Sequence, residues 1–145
     1  VVHGNYLTDP EMNFIATQPR MTAVYCPRTH RFFQHDDYPL QALLDRGINV
    51  AVGTDSRASN PDLNLFAELQ QIAADFPELP SAEILEMGTL AGAKGLGFDV
   101  ELGTLAVGKR AAISVVRPAA DCDGLADNWL FDEASTCRPL LPIPE

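Results

Sequence analysis

An α/β fold with a parallel sheet is what this sequence predicts, on three observations. Short apolar, β-branched runs at Val1-Val2, Thr22–Cys26 and Ile48–Val52 alternate with stretches of helical periodicity. The helical stretches carry boundary signals of their own, capping residues and prolines before them and glycines after. Polar side chains collect just beyond the runs: His3 after the first, Arg28-Thr29-His30 after the second, Asp55 after the third. Strands alternating with helices at this rhythm mean βαβ units.

In chain order, Val1 and Val2 end a buried strand with His3 at its tip. Thr8-Asp9-Pro10-Glu11 is a capping box that opens a helix reaching about Gln18, with Met12, Ile15 and Ala16 at helical spacing. Pro19 stops it. Thr22–Cys26 is the second strand, closed by Pro27, and a polar loop follows with Arg28, Thr29, His30, Arg31, His35, Asp36 and Asp37. Pro39–Arg46 is a helix with Leu40, Leu43 and Leu44 inward, and Gly47 stands where a C-terminal glycine belongs.

The chain is organised around Gly47–Pro61. Ile48–Val52 is the third buried strand, Gly53 ends it, and Asp55 follows before a polar loop. Asn60-Pro61 predicts an N-cap and first helical residue, with the helix running to about Ala74 and Leu63, Phe66, Leu69, Ile72 and Ala73 on one face. Two roles are open for Asp55: chemistry at a strand tip, where α/β barrels keep theirs, or a hydrogen bond to its own loop. Ser81 caps a further helix with Ile84, Leu85 and Met87, and Thr89–Leu96 continues as a small-residue helix ending at Gly95 or Gly97. Beyond it, Leu102–Leu105 and Ala111–Val116 are short strands around the turn Val107-Gly108-Lys109. Residues 117–145 are mostly irregular, with a turn of helix near Leu125–Leu130.

With 145 residues, 46% hydrophobic and 21% charged, the composition is that of one soluble globular domain. A net charge of −10 argues against nucleic acid or an anionic membrane as partner, and no apolar run approaches a membrane span. Cys26, Cys122 and Cys137 are odd in number and lack CxxC spacing, which points to a reducing cytoplasm. The opening residues look like the end of a strand, so the chain is expected to begin within a domain.

Three segments together resemble the C-terminal part of a metal-dependent amidohydrolase of the deaminase and chlorohydrolase branch. Val-Val-His3-Gly-Asn-Tyr-Leu-Thr-Asp is similar to the histidine-tipped sixth barrel strand of guanine, cytosine and adenosylhomocysteine deaminases. Val24-Tyr-Cys-Pro-Arg28 resembles the seventh strand and its Cys-Pro turn. Val52-Gly-Thr-Asp55-Ser-Arg-Ala-Ser-Asn60-Pro, with Leu63-Asn-Leu-Phe-Ala-Glu68-Leu, resembles the eighth strand with its metal-ligating Asp and the helix after it. Gly103-Thr-Leu-Ala-Val-Gly-Lys109 is similar to the return into a small β-domain. Two positions depart from the family pattern: Thr29-His30 stands where Ser-Asn is usual, and Ala112 where an Asp is usual.

The resemblance implies an α/β fold: the C-terminal portion, about strands 6–8, of a (β/α)8 barrel over 1–97, then part of a small β-domain and an irregular tail over 98–145. It implies a divalent metal, zinc with iron as the alternative, held by Asp55 and His3, and a metal-activated water that deaminates a purine, pteridine or nucleoside-like ring. Asp55 and His3 are then the catalytic candidates, and His30 and Arg28 candidates for substrate contact. The plainer reading of His30 and His35 is a solvated loop; for Arg28 it is an ion pair with Asp36 or Asp37. Cys26, Trp129 and the helix leucines are expected in the core. Ser56 and Ser59 have no base in a suitable sequence arrangement, so serine catalysis has no support.

The family's His-x-His pair, its fifth-strand His and its proton-shuttling Glu have no counterpart here, and a full barrel takes about 250 residues. The chain therefore reads as a fragment, inactive alone, whose partners are a small-molecule substrate and either the N-terminal part of the barrel or a second copy. The alternatives are dechlorination or other ring-substituent hydrolysis, and a non-catalytic scaffold lacking the metal.

Overall fold

The structure, a computed structural model, describes residues 1–118 and 129–140. Its centre is a parallel pair, β1 (Thr22–Tyr25) and β2 (Asn49–Val52), in the register Thr22↔Asn49 to Tyr25↔Val52. Val2 adds a parallel bridge to Val24, with the His3 N–H donating to the Val24 carbonyl at 2.9 Å. The three apolar runs thus lie side by side in sequence order, and their ends point the same way. That is why His3, the residues after Tyr25 and those after Val52 share one end of the sheet.

Helices cover the strands. α1 (Asp9–Ala16) begins as predicted at Thr8, whose N–H and hydroxyl both donate to the Glu11 carboxylate, at 2.8 and 2.6 Å. α3 (Leu40–Asp45) ends before Gly47, whose φ of +68° suits the residue that turns the chain into β2. Then come α4 (Leu65–Asp75), α5 (Ser81–Met87) and α6 (Leu90–Leu96). Ala23, Tyr25 and Val50 from the strands pack with Met12, Leu43, Ile72, Ile84 and Met87 in one core. Leu43, Ile72 and Ile84 are fully buried, each such side chain contributing about 1.5–3 kcal/mol.

Several sequence expectations are corrected. The polar stretch after Tyr25 is not a loop: Pro27–Phe32 forms α2, with Pro27 at its first position and Pro27 and Thr29 buried. Asn60 is not an N-cap, because the helix starts four residues later, with the Asn64 carboxamide accepting from Phe66 and Ala67 N–H at 3.0 and 3.4 Å. Ser81 is the first residue of α5 rather than its cap. Leu102–Leu105 is bend and coil rather than strand.

The second strand of the later region is β3 (Ser114–Arg117). It pairs antiparallel with β4 (Thr136–Pro139), which lies in the stretch expected to be irregular. A 3-10 turn at Trp129–Phe131 puts Phe131 into the common core against Phe66, and Gln70 holds the Asp132 carbonyl at 2.6 Å. The expected helix over Leu125–Leu130 falls largely outside the described residues, as do Cys122 and the Trp129 side chain.

Candidate functional site at the strand ends

His3 and Asp55 come together. Nε2 of His3 stands 3.7 Å from Oδ2 of Asp55, and both side chains are partly open to solvent, 39% and 31% exposed. The two strands that flank β1 deliver them, and each residue sits in the left-handed region, at φ +64° and +57°. Few non-glycine residues adopt that conformation, and Asp and His are among the side chains enriched there. Gly53 sets the approach, since a Cβ there would lie 2.9 Å from Val24 Cγ1 and 3.4 Å from Cys26 Sγ. Only hydrogen lets β2 turn toward Asp55 this close to its neighbour.

Behind the pair lies a network the sequence did not announce. Ser59 Oγ donates to Asp55 Oδ2 at 3.1 Å, and Thr29 Oγ1 lies 3.0 Å from Ser59 Oγ. So Ser59 does meet a carboxylate, although no imidazole base accompanies it. Glu68, fully buried on α4, accepts the Arg28 backbone N–H at 2.9 Å and the Asn60 side-chain N–H. Asn60 also donates to the Thr54 carbonyl at 2.9 Å and accepts from Leu63 N–H at 3.1 Å, which ties the Asp55 loop to α4. The Arg28 N–H is one of the unsatisfied first-turn donors of α2, and Glu68 caps it from another helix. Burial pushes the Glu68 carboxyl above its usual range, against the pull of these donors. The sign visible in the sequence was an acid four residues before the inward Ile72.

Arg28 is engaged by Asp62 at 2.7 Å and by Glu68 at 3.5 Å, not by Asp36 or Asp37. His30 is half-buried, with Nδ1 3.3 Å from Asn5 Oδ1 and its ring edge-on to Tyr25 and Tyr38. Desolvation lowers its pKa. His35 packs on His30 and contacts the Tyr6 hydroxyl at 3.1 Å. Cys26 is buried, its thiol pushed up to about 11 chiefly by desolvation, which fits a small hydrophobe rather than a nucleophile. A cavity of about 530 Å³ opens at the other end of the sheet, lined by Thr22, Asn49 and Lys94, away from these residues.

An imidazole nitrogen and a carboxylate oxygen are the donor types zinc takes, and two such donors on a tetrahedral ion lie about 3.4 Å apart. The observed 3.7 Å is within a few tenths of that. The donor count does not close: among the described residues no three His, Cys, Asp or Glu side chains group as a metal site. No described helix is long and apolar enough to cross a membrane.

The sequence matches the amidohydrolase family over residues 1–132. It is 34% identical to the 5-methylthioadenosine/S-adenosylhomocysteine deaminase of Caldanaerobacter subterraneus, over 79% of this chain and 28% of that protein. It is 37% identical to the corresponding deaminase of Thermoanaerobacter pseudethanolicus, with the same coverage. The chain thus spans about a quarter of the length of the curated relatives it matches. A zinc-bound adenosine deaminase structure from Xanthomonas campestris superposes with a TM-score of 0.70 at 35% identity, over 77% of this chain and 27% of that one. The zinc complex of atrazine chlorohydrolase from Arthrobacter aurescens does so with 0.71 at 27% identity, over 78% and 26%. The sequence match and these structural likenesses agree: the chain belongs to the amidohydrolase family, and its relatives include deaminases and a chlorohydrolase.

Proposed function

We propose that this chain is the part of a hydrolase barrel, about strands 6–8 within residues 1–97, that supplies His3 and Asp55 to a site for hydrolytic deamination. The substrate class is an amino-substituted purine nucleoside or a related heterocycle, the class named for the relatives. Water adds to the ring carbon bearing the amino group, that C–N bond breaks, and ammonia leaves. The observation that carries the reading is the convergence of His3 and Asp55 from the two strand ends that flank β1. Both would face a divalent metal, zinc or iron, whose chemistry when bound is to lower the pKa of water toward neutrality.

In this reading Asp55 accepts the proton of the attacking water on its carboxylate and passes it toward the leaving amine. His3 donates a hydrogen bond from Nε2 to the oxygen as charge develops on it. His30 lines the mouth on the substrate side. Arg28 is held by Asp62 and Glu68 and shapes the wall rather than meeting substrate. Even with His3 Nε2 spent on the metal instead of that hydrogen bond, two donors are too few for a catalytic zinc site, which takes three protein ligands. The rest of the barrel, in the same polypeptide or another, completes it, in a reducing cytoplasm. A ring chlorine as leaving group is the second reading, favoured by the likeness to the chlorohydrolase.

The test is ammonia release from 5-methylthioadenosine by the protein carrying the complete barrel. Asp55→Asn should abolish it, and wild-type turnover in that variant refutes the site. The 145-residue chain alone should release none.

A further inference from the structure

We propose that Ser59, itself oriented by Thr29, is a positioning residue that fixes the Asp55 carboxylate at the mouth of the site. The inference rests on the reading of Asp55 as a functional carboxylate. Ser59 and Thr29 are 6% and 2% exposed, so neither hydroxyl has ready access to water as an alternative partner. Their bonding direction follows from proton counting. An ionised carboxylate only accepts, so the Ser59 hydroxyl donates to Asp55 Oδ2 across 3.1 Å. That spends its one proton. The 3.0 Å contact between the two hydroxyls must then be donated by Thr29. The Thr29 approach to the Thr54 carbonyl, at 3.5 Å, lies at the outer limit of a hydrogen bond and is the weaker use of that proton.

The result is a one-way chain, Thr29 to Ser59 to Asp55, whose two hydroxyls leave no proton unassigned. Both donors stand on held backbone. Thr29 is in α2, where its carbonyl accepts from Phe33 N–H at 3.1 Å, and Ser59 N–H donates to the Ser56 carbonyl at 3.2 Å. The oxygen they reach is the one that faces His3 Nε2. The backbone of Asp55 is in the left-handed region, and the two hydroxyls restrain its carboxylate through Oδ2. A residue acting this way sets the orientation of a reacting group without touching substrate.

The experiment uses the protein carrying the complete barrel, with zinc as the metal probe and 5-methylthioadenosine as substrate. Ser59→Ala should weaken zinc binding, measured by chelator competition, about 10- to 100-fold, the usual consequence of losing a partner behind a metal ligand. It should lower kcat by a similar factor and leave KM within about twofold, because the substrate's own contacts are untouched. Ser59→Thr keeps a hydroxyl and should restore zinc affinity and kcat to within about threefold of wild type, a rescue that a mere packing role does not predict. Thr29→Val, which removes the upstream donor in an isosteric side chain, should shift both readouts in the same direction and by less. It serves as the deciding variant if Ser59→Ala does not fold. Wild-type zinc affinity and kcat in the folded Ser59→Ala or Thr29→Val protein, with Asp55→Asn inactive, overturn the proposal alone. Activity in Asp55→Asn overturns the reading beneath it as well.

Discussion

Replacing Glu68 by glutamine tests whether a buried carboxylate joins α2, α4 and the Asp55 loop. One oxygen of Glu68 accepts the Arg28 N–H at 2.9 Å and the other accepts the Asn60 amide. A glutamine offers one acceptor and one N–H₂ group, so one buried donor then faces another donor. Asn60 cannot turn to relieve this, because its nitrogen also serves the Thr54 carbonyl and its oxygen the Leu63 N–H. Leaving one buried donor unpaired costs about 1–3 kcal/mol. The desolvation that raises the Glu68 pKa is relieved in the amide and offsets part of this, which leaves a net loss of about 1–2 kcal/mol.

Leucine at 68 strands both donors, and its loss should be about double. Urea unfolding of the chain followed by circular dichroism, with slopes held equal, measures both. The expected fall in Tm for Glu68→Gln is roughly 4–8 °C. A Glu68→Gln protein within about 0.5 kcal/mol of wild type, the scatter of an ordinary surface change, refutes the three-way junction.

Two further predictions concern the same chain. Burial holds the His30 pKa below 6.5, so the unfolded chain binds its proton first as pH falls. The stability His30 contributes is therefore present above 6.5 and is lost as pH drops through the folded value. His30→Gln should flatten the stability profile over that acidic range, and an unchanged profile contradicts the assignment. Phe131→Ala should cost about 3–5 kcal/mol, because the ring is 3% exposed and packs 5.9 Å from Phe66. Urea unfolding reads it, and a loss below about 1 kcal/mol would show that the 3-10 turn contributes little to the core.

The three strand positions, the capping box at Thr8 and the turn at Gly47 were legible because each is a local signal: β-branched runs, a four-residue cap, a glycine after a helix. The meeting of His3 and Asp55 was legible only through resemblance, since nothing in the spacing of residues 3 and 55 brings them together. α2 was missed because Arg28-Thr29-His30-Arg31 has no apolar period, and its first turn is capped by a residue forty positions later in the chain. Asn60 drew the helix start to itself because Asn-Pro is a strong opening signature. Its side chain is committed instead to Thr54, Leu63 and Glu68, while Asn64 does the capping. β4 was missed for a related reason: Thr136–Pro139 is short, polar and exposed, and only its partner strand makes it a strand.

The left-handed backbone at His3 and Asp55 bears on how these two positions tolerate change. A β-branched or bulky residue at either site would face a steric cost before any question of chemistry arose. Asparagine tolerates the conformation best, and glycine adopts it freely. Alanine scanning at positions 3 and 55 therefore mixes two losses, the missing side chain and a distorted turn, whereas asparagine at 55 isolates the first. The same steric filter narrows which residues can drift into these positions over evolutionary time. Invariance there would record the shape of the backbone as well as the work of the side chain.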